Sequence, residues 1–358
     1  MRAAVLRKTG DVDLDVRDDI ELRPMGAGDV KVRITHSGVC HSDLSAMNGT
    51  IPQPPPAVLG HEGAGIVEAV GDSISAVKPG DHVIIAWSPP CGKCKFCVNF
   101  KQPQLCFNVM MTMGGQFRQG DEIIGAMAGA GTFAEYTLVP EQAVVKIDDD
   151  IPLEVASLIG CGVMTGAGAA INTAKVTPGS SVIVYGAGGV GISAIQGARI
   201  AGAAEILAVD VNPQKLDEAK AFGATHACLP DDVDAIKTAI TGGDGFDFAF
   251  ECIGKPVTMR SAYDQTRRGG TTCIVGVGRM DETVSFSAFE LFFNEKHLVG
   301  SYYGGTDVRS DFHRLLRLYR AGKLDLDRMI TRRIKIDEIN DAMRRLERGE
   351  VVRQVIEF

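Results

Sequence analysis

Residues 181–191 read Ser181-Val-Ile-Val-Tyr-Gly-Ala-Gly-Gly-Val-Gly191, an apolar strand that runs into a G-x-G-x-x-G turn and then into an apolar helix. Glycines in such a turn allow backbone N–H groups at the start of the helix to approach a pyrophosphate. By itself the motif is weak in a chain with 42 glycines, where a turn that only packs a helix on a strand is the alternative. The candidate cofactor contacts are Gly186, Gly188, Gly189, Val190 and Gly191.

A carboxylate follows this turn at the end of the next predicted strand, 205–209. Asp210 lies 19 residues after Gly191, where an acidic side chain binds the hydroxyls of the adenosine ribose. The same charge repels a 2′-phosphate, so the sequence predicts NAD rather than NADP. The alternative role of Asp210 is to cap the helix that begins at Pro213.

Strands and helices alternate on both sides of this turn from about residue 163. The alternation is typical of a doubly wound parallel sheet, an α/β fold; its predicted strands are 181–185, 205–209, 246–250 and 271–275, and its predicted helices are 191–201 and 213–222. Residues 1–150 differ, because short strands broken by Gly and Pro indicate a barrel-like β domain; these are 30–34, 65–70, 81–85 and 134–139. The tail predicts helices at 310–321 and 338–348 and a last strand at 351–358.

Composition narrows the classes of function. A length of 358 residues favours two domains. The chain has 37 basic and 45 acidic residues and no Lys/Arg block, which argues against a nucleic-acid partner. The N-terminus lacks the apolar stretch of a signal peptide, and no run approaches the ~18 uninterrupted apolar residues of a membrane span. We therefore expect a cytoplasmic protein with no membrane partner.

Four of the nine cysteines lie in one short loop, Cys91-x2-Cys94-x2-Cys97-x8-Cys106. This spacing allows four sulfurs to close a tetrahedron and predicts a structural zinc site. An iron–sulfur cluster is the main alternative, although no second cluster-type run exists. A nucleic-acid zinc ribbon usually splits its cysteines into two separated pairs, and four reduced free thiols would be prone to oxidation.

A second candidate set is dispersed along the chain: Cys40, His61 and Cys161. Two thiolates and one imidazole with an open fourth position form the arrangement of a catalytic zinc. The spacing alone does not assign these residues, since any one of them is more often a buried Cys or His. Gly65 occupies the place where a zinc protease of the H-E-x-x-H type needs a second histidine, so that class is excluded.

The motifs together resemble the zinc-containing alcohol dehydrogenases of the medium-chain dehydrogenase/reductase superfamily, in the liver-type or class III-like branch. The resemblance covers essentially the whole chain in order and rests on 38–43 (Gly-Val-Cys-His-Ser-Asp), 60–65 (Gly-His-Glu-x-x-Gly), the four-cysteine loop, 159–166, the glycine turn, Asp210 with Lys215, and 349–353. It implies a GroES-like β-barrel catalytic domain, residues 1–162 and 303–358, which holds both zinc sites. A Rossmann NAD-binding domain, residues 163–302, is inserted, with the active site in the cleft.

The resemblance also assigns catalytic roles, and it implies two zinc ions per chain. Cys40, His61 and Cys161 would bind the catalytic zinc, and Glu62 beside it could ligate the ion transiently. Asp43 resembles the carboxylate that orients His61. Ser42 resembles the hydroxyl that accepts the alcohol proton.

Further roles concern the cofactor and the substrate. His41 and Arg353 correspond to pyrophosphate contacts, Lys215 to a contact of the adenosine ribose, and Thr165 to a residue that packs at the nicotinamide. Trp87 corresponds to an aromatic wall of the substrate pocket, which favours a primary alcohol; simple core packing is its alternative.

The implied reaction is reversible hydride transfer between a primary aliphatic or aromatic alcohol and NAD, in a homodimer or homotetramer. Ser45 departs from the family pattern, because many liver-type relatives have a histidine there that completes a proton relay, so a shorter or water-based relay is implied. A thiol-adduct-dependent formaldehyde dehydrogenase is the alternative; its acidic pair would fall near Ile51 and Gln53, which are not acidic.

Two other classes remain. Polyol dehydrogenases usually have a Glu near the third ligand position, where Cys161 favours the alcohol branch. Non-catalytic relatives tend to lose zinc ligands, and none is missing here.

Overall fold

The computed structural model describes residues 1–358, and the chain forms two compact units. The first unit contains Met1–Cys161, Asp307–Ala321 and Leu326–Phe358. The second contains Gly162–Thr306 and the short segment Gly322–Asp325. The main segment of the second unit is therefore Gly162–Thr306, whereas the sequence-based expectation for this domain was residues 163–302.

The strands are β1 Ala3–Leu6, β2 Asp15–Arg17, β3 Glu21–Leu22, β4 Asp29–Val39, β5 Ala57–Val58, β6 Glu62–Val70, β7 His82–Ile85, β8 Phe117–Gln119, β9 Glu122–Ala126, β10 Tyr136–Pro140, β11 Val144–Lys146, β12 Ser181–Tyr185, β13 Glu205–Val209, β14 His226–Cys228, β15 Phe246–Glu251, β16 Thr266–Ile274, β17 His297–Gly300, β18 Ile330–Ile334 and β19 Arg353–Glu357. The helices are α1 His41–Met47, α2 Lys95–Val98, α3 Leu153–Leu158, α4 Met164–Gly168, α5 Gly189–Ile200, α6 Pro213–Ala221, α7 Val233–Thr241, α8 Pro256–Gln265, α9 Ala288–Asn294, α10 Val308–Arg320 and α11 Ile339–Glu347.

The first unit contains two sheets, in the region where the short strands predicted a barrel-like β domain. One has the order β2-β1-β5-β9-β8-β3, and the other has the order β11-β7-β6-β4-β19-β18 with β10 also paired to β4. Large side chains such as Phe117 and Phe133 are fully buried in its core. Strand β4 extends past the predicted 30–34 to Val39, because β6, β10 and β19 hydrogen-bond along it.

The second unit contains the predicted parallel sheet, with strand order β14-β13-β12-β15-β16-β17. The bounds of β12 and β13 are those predicted, whereas β16 begins at Thr266 rather than residue 271. The strand order reverses between β12 and β15, so the carboxyl ends of these two strands form the point at which doubly wound sheets bind ligands. The predicted α/β class is therefore confirmed: one unit is a β domain and the other contains a doubly wound sheet.

The first segment of the first unit ends, and the second unit begins, within one long apolar helical stretch. Residues Leu153–Thr173 form 21 consecutive helical residues that are apolar enough to cross a membrane, and 83% of the most apolar window is buried inside the protein. Two turns in it are π-helical, Ile159–Val163 and Ala169–Thr173. Buried core helices of soluble proteins pass the same test, so this stretch is weak evidence for a membrane span.

Candidate metal and cofactor sites

Strand register brings three parts of the dispersed set together. Strand β4 pairs with β6 so that Gly38 lies opposite Glu62, and it pairs with β19 so that Val39 lies opposite Gln354. Cys40 follows the end of β4, while Arg353 begins β19. The ends of three neighbouring strands therefore place Cys40, the His61–Glu62 pair and Arg353 at one edge of the sheet.

The second cysteine of this set, Cys161, comes from the buried helix 153–173. Cys161 lies in the π-helical turn Ile159–Val163, a local widening of the helix that is common at functional sites. Its neighbour Gly160 allows close approach to the sheet: a Cβ atom there would lie 3.0 Å from the carbonyl oxygen of Ile85 and 3.7 Å from the Cα of Glu62. The ligand atoms of Cys40, His61, Glu62 and Cys161 all lie within 4.8 Å of one another.

A buried carboxylate orients the imidazole of this group. His61 Nδ1 lies 3.1 Å from Asp43 Oδ1, which also accepts the N–H of Gly60 at 3.1 Å. Asp43 Oδ2 accepts the N–H of Cys40 at 2.9 Å. With Nδ1 donating to Asp43, the lone pair of His61 is on Nε2, which is buried and makes no hydrogen bond. One side chain thus fixes the backbone of one candidate ligand and the ring of another.

The charges around the group are closely coupled. Burial raises the pKa of Glu62 to about 7, although Arg353 opposes the shift. The hydrogen bond with Cys161 lowers the pKa of Cys40 and raises that of Cys161. Burial would lower the pKa of Arg353, but Glu62 and the two sulfurs hold it above its usual value.

The donor set fits zinc. Two sulfurs, one imidazole nitrogen with an orienting carboxylate and a carboxylate oxygen in a buried pocket are ligands that zinc takes in catalytic sites. Cys40, His61 and Cys161 would hold the ion, and the carboxylate of Glu62 lies within 4.8 Å of their ligand atoms. Arg353 supplies the opposite charge for Glu62, because its Nη2 lies 3.4 Å from Glu62 Oε1.

The four-cysteine loop forms a second cluster in the same unit. The sulfurs of Cys91, Cys94, Cys97 and Cys106 lie within 4.8 Å of one another, with Cys94 and Cys97 3.6 Å apart. The N–H of Lys93 lowers the pKa of Cys91 to about 6, against burial. None of the nine cysteines forms a disulfide. Four sulfurs and no other candidate ligand are the donor set of a closed structural zinc site.

The glycine turn lies in the second unit, between β12 and α5. Gly186 has a φ of 91°, and a Cβ at Gly191 would lie 1.7 Å from the Gly186 carbonyl oxygen, so larger residues do not fit. Nothing lies within 4 Å of a Cβ at Gly188, which leaves open space above the turn. A pyrophosphate fits this cradle at the start of α5.

The Asp210 carboxylate accepts hydrogen bonds from the glycine turn and from the segment that precedes α6. Its Oδ2 accepts the N–H of Ala187 at 2.8 Å, and its Oδ1 accepts the N–H of Asn212 at 2.9 Å. The cap of α6 is Asn212, whose side chain accepts the N–H of Gln214 at 3.0 Å. The alternative role of Asp210 as this cap is therefore wrong, because the carboxylate is directed to the glycine turn.

The remaining candidate residues are distributed over both units. Ser42 is half-buried in α1, with its Oγ 3.7 Å from Cys40 Sγ, and His41 is exposed. Trp87 is half-buried, and its ring meets that of His61 edge-on at a centroid distance of 6.5 Å. In the second unit, Thr165 lies in α4 and Lys215 in α6, both half-buried.

Sequence reasoning missed the pairing of Arg353 with Glu62. Arg353 was expected only as a pyrophosphate contact, and that role stays a prediction; its side chain is 3% exposed and lies beside the metal ligands. A C-terminal arginine gives no local sign of this, because only the pairing of β19 with β4 brings it there.

The fold and both clusters agree with the comparisons with known proteins. The family model for the alcohol dehydrogenase GroES-like domain matches residues 26–149, and the model for the zinc-binding dehydrogenase matches residues 189–321. The chain belongs to the zinc-containing alcohol dehydrogenases of the medium-chain dehydrogenase/reductase superfamily and is an oxidoreductase.

Particular relatives resemble the chain over nearly its full length. It is 41% identical to alcohol dehydrogenase class-3 of Drosophila melanogaster, covering 96% of this chain and 94% of the relative. It is 40% identical to S-(hydroxymethyl)glutathione dehydrogenase of Escherichia coli O157:H7, covering 95% of each. Benzyl alcohol dehydrogenase from Acinetobacter calcoaceticus has a similar structure, with a TM-score of 0.91 and 34% identity over 100% of this chain and 99% of that one.

Proposed function

We propose that this protein oxidises primary alcohols to aldehydes, reversibly, with NAD as the hydride acceptor and with one catalytic and one structural zinc ion per chain. The observation that carries the proposal is the buried group Cys40, His61, Glu62 and Cys161, whose ligand atoms lie within 4.8 Å of one another. The same chain carries a glycine turn suited to a dinucleotide.

The chain's own residues divide the work of catalysis. Zinc, when bound, polarises the substrate oxygen and lowers the pKa of an alcohol. Asp43 holds the His61 ring so that Nε2 is available as a ligand. Ser42 lies in the first turn of α1, next to Cys40, where its hydroxyl accepts the alcohol proton and passes it to water. The carbinol carbon loses a hydride to the nicotinamide, so the products are aldehyde, NADH and one proton.

The substrate class follows from the aromatic side chain beside the metal ligands. Trp87 presents a flat apolar ring perpendicular to His61. Such a wall accommodates a linear or aromatic primary alcohol and restricts a branched secondary one. The structural relative from Acinetobacter calcoaceticus is named for benzyl alcohol, an aromatic primary alcohol of this kind.

A thiol adduct of formaldehyde is the second candidate substrate. The relative from Escherichia coli is named for the glutathione adduct, and 40% of its aligned residues are identical to this chain. Ile51 and Gln53, near the place of the acidic pair of that branch, carry no charge. An adduct of a different thiol fits these residues better than S-(hydroxymethyl)glutathione.

The preference for NAD rests on Asp210. Its carboxylate follows β13 at the carboxyl edge of the parallel sheet, and its Oδ2 accepts the N–H of Ala187 in the glycine turn at 2.8 Å. A 2′-phosphate would add about two negative charges at that place. The unmodified ribose of NAD avoids this repulsion.

The test combines metal analysis with a substrate panel. Purified protein is expected to contain about two zinc per chain and to form NADH from benzyl and linear primary alcohols, with a smaller rate for S-(hydroxymethyl)glutathione. Cys40→Ser is expected to abolish alcohol oxidation while NADH binding persists. Wild-type protein that binds two zinc and NADH but oxidises no alcohol or thiol adduct would refute the proposal.

Two further features support an assembly and a compartment. The edge strand β17 and helix α9 expose apolar side chains, including Phe289 at 67% and Phe292 at 80%. Because β17 is an edge strand of the parallel sheet, we propose a homodimer or homotetramer that pairs through it, checked by light scattering of the eluted protein. Nine cysteines without a disulfide suit the reducing cytoplasm, where we place the protein.

A further inference from the structure

We infer that Glu251 is a positioning residue for the dinucleotide. It holds two loops at the carboxyl edge of the parallel sheet in fixed positions, so that both can contact the bound cofactor. The inference rests on the proposed function. Glu251 is the last residue of β15 and is fully buried. No metal ligand lies near it in the sequence, and the mechanism proposed above does not use it.

The Glu251 carboxylate organises the turn that follows β15. Its Oε1 accepts the N–H of Ile253 at 3.0 Å, the N–H of Gly254 at 2.8 Å and the hydroxyl of Thr258 at 2.6 Å. Three donors thus converge on one oxygen from a turn and from the first helical turn of α8. Removing the side chain would leave the buried N–H of Gly254 without its acceptor, which loosens such a turn, whereas the Thr258 hydroxyl keeps the carbonyl oxygen of Lys255 at 2.9 Å.

The backbone of Glu251 organises a second loop, the one after β16. Its carbonyl oxygen accepts the N–H of Val275 at 2.8 Å and the N–H of Gly276 at 2.9 Å. A Cβ at Gly276 would lie 2.6 Å from Glu251 Oε2, so this glycine leaves room for the carboxylate. A Cβ at Gly254 would lie 2.3 Å from the carbonyl oxygen of Val277, which shows that the two loops pack directly on each other.

Each of these two loops carries an exposed apolar side chain, Ile253 in one and Val277 in the other. Ile253 is 40% exposed and Val277 is 54% exposed, while the backbone N–H of Ile253 donates to Glu251 Oε1 at 3.0 Å. Strand register puts Glu251 opposite Tyr185, the residue before Gly186. A Cβ at Gly186 would lie 2.7 Å from Ile253 Cγ1, so Ile253 covers one side of the turn. Rigid apolar groups at the switch point of the sheet suit the flat rings of a dinucleotide.

The two oxygens of the Glu251 carboxylate differ in their hydrogen bonds. This difference allows substitutions to separate the effect of oxygen position from the effect of charge. Oε1 receives three hydrogen bonds, whereas Oε2 is buried and has none. Glu251→Gln keeps an acceptor oxygen at the place of Oε1 and loses the charge. Glu251→Asp keeps the charge but, being one methylene shorter, withdraws the oxygen from Gly254 and Thr258.

The experiment measures the NADH dissociation constant by fluorescence titration in wild-type protein and in Glu251→Gln, Glu251→Asp and Glu251→Ala. Amide hydrogen exchange of the segments 252–258 and 275–278 is measured alongside. We expect Glu251→Gln to stay within about threefold of wild type, and Glu251→Asp and Glu251→Ala to lose at least about tenfold in affinity, with faster exchange in both segments. Phe250→Leu, a fully buried neighbour on β15 with no part in these hydrogen bonds, serves as the control for general loss of stability.

Each outcome decides between the possibilities. If Glu251→Asp binds NADH as tightly as wild type and Glu251→Gln does not, charge rather than position matters and the inference is overturned. If Phe250→Leu, at an equal loss of thermal stability, weakens NADH binding as much as Glu251→Ala, the residue is only structural. If wild-type protein does not bind NADH, the proposed function itself fails, which is a separate result.

Discussion

The substitution Asp43→Asn tests how the metal site is oriented. Asp43 is fully buried and accepts hydrogen bonds from the N–H groups of Cys40 and Gly60 and from His61 Nδ1. Asparagine has nearly the same shape but offers one oxygen and one NH2 group. If the oxygen stays toward His61 and Gly60, the NH2 group faces the N–H of Cys40, and that buried donor loses its acceptor.

Two costs follow from this geometry. An unsatisfied buried donor costs about 1–3 kcal/mol in the free energy of unfolding. Loss of the carboxylate that orients a ligating histidine typically lowers metal affinity by about 10–100-fold, equivalent to roughly 1.4–2.7 kcal/mol. The four-cysteine cluster has no hydrogen bond with Asp43 and is expected to keep its affinity. The variant should therefore lose one zinc per chain well before the other.

Chelator competition measures both sites on the same sample. In each protein the two zinc ions should be removed at two different chelator concentrations. Only the concentration that removes the ion of the Cys40, His61 and Cys161 site should be lower in Asp43→Asn. Ser37→Ala is the matched control, because it removes a buried hydrogen bond to Thr132 at 2.7 Å without touching a ligand. The reasoning is refuted if Asp43→Asn and Ser37→Ala shift zinc release equally, or if the four-cysteine step moves with the other.

Three further substitutions give distinct results. Asp210→Ala is expected to raise kcat/KM for NADP relative to NAD by at least about tenfold, since it removes the repelling charge; steady-state kinetics with both cofactors measure this, and an unchanged ratio contradicts the assignment. Cys94→Ser is expected to lower zinc content from about two to about one per chain and to reduce the unfolding temperature; metal analysis and thermal unfolding check this, and retention of both ions counts against the cluster. Burial alone would raise the pKa of Asp29, but hydrogen bonds from Arg23 and from the N–H of Gly26 lower it; its contribution is therefore present above the unfolded-state pKa and lost as pH falls through the folded-state value. Asp29→Asn is expected to lower the free energy of unfolding by about 1 kcal/mol near pH 7 and by less near pH 3. Urea unfolding at each pH measures this loss, and an equal loss at both pH values would exclude the charge as its source.

Local patterns in the chain predicted the elements that depend on neighbouring residues. The apolar run 181–185 and the glycines after it predicted a strand, a tight turn and a helix, and the structure has all three. The turn at Gly186 needs only its own positive φ and the nearby Gly191. The four cysteines within 91–106 likewise form a cluster because a short loop limits how far apart their sulfurs can lie.

The dispersed group shows the opposite case. Spacing alone did not assign Cys40, His61 and Cys161, and only the resemblance to a family joined them before the fold was known. The structure joins them through the pairing of β4 with β6 and the π-helical turn at Cys161. The group itself runs from Cys40 to Cys161, more than a hundred residues apart in the chain, and leaves no periodic pattern in the sequence.

The sequence by itself determined the class of each domain, the glycine turn and the four-cysteine loop, because hydrophobic period and short loops act over a few residues. Only the tertiary structure decided that Arg353 pairs with Glu62 and that Glu251 joins two loops. Both depend on the register between strands distant in sequence, and a shift of one residue would turn either side chain to the opposite face of its sheet.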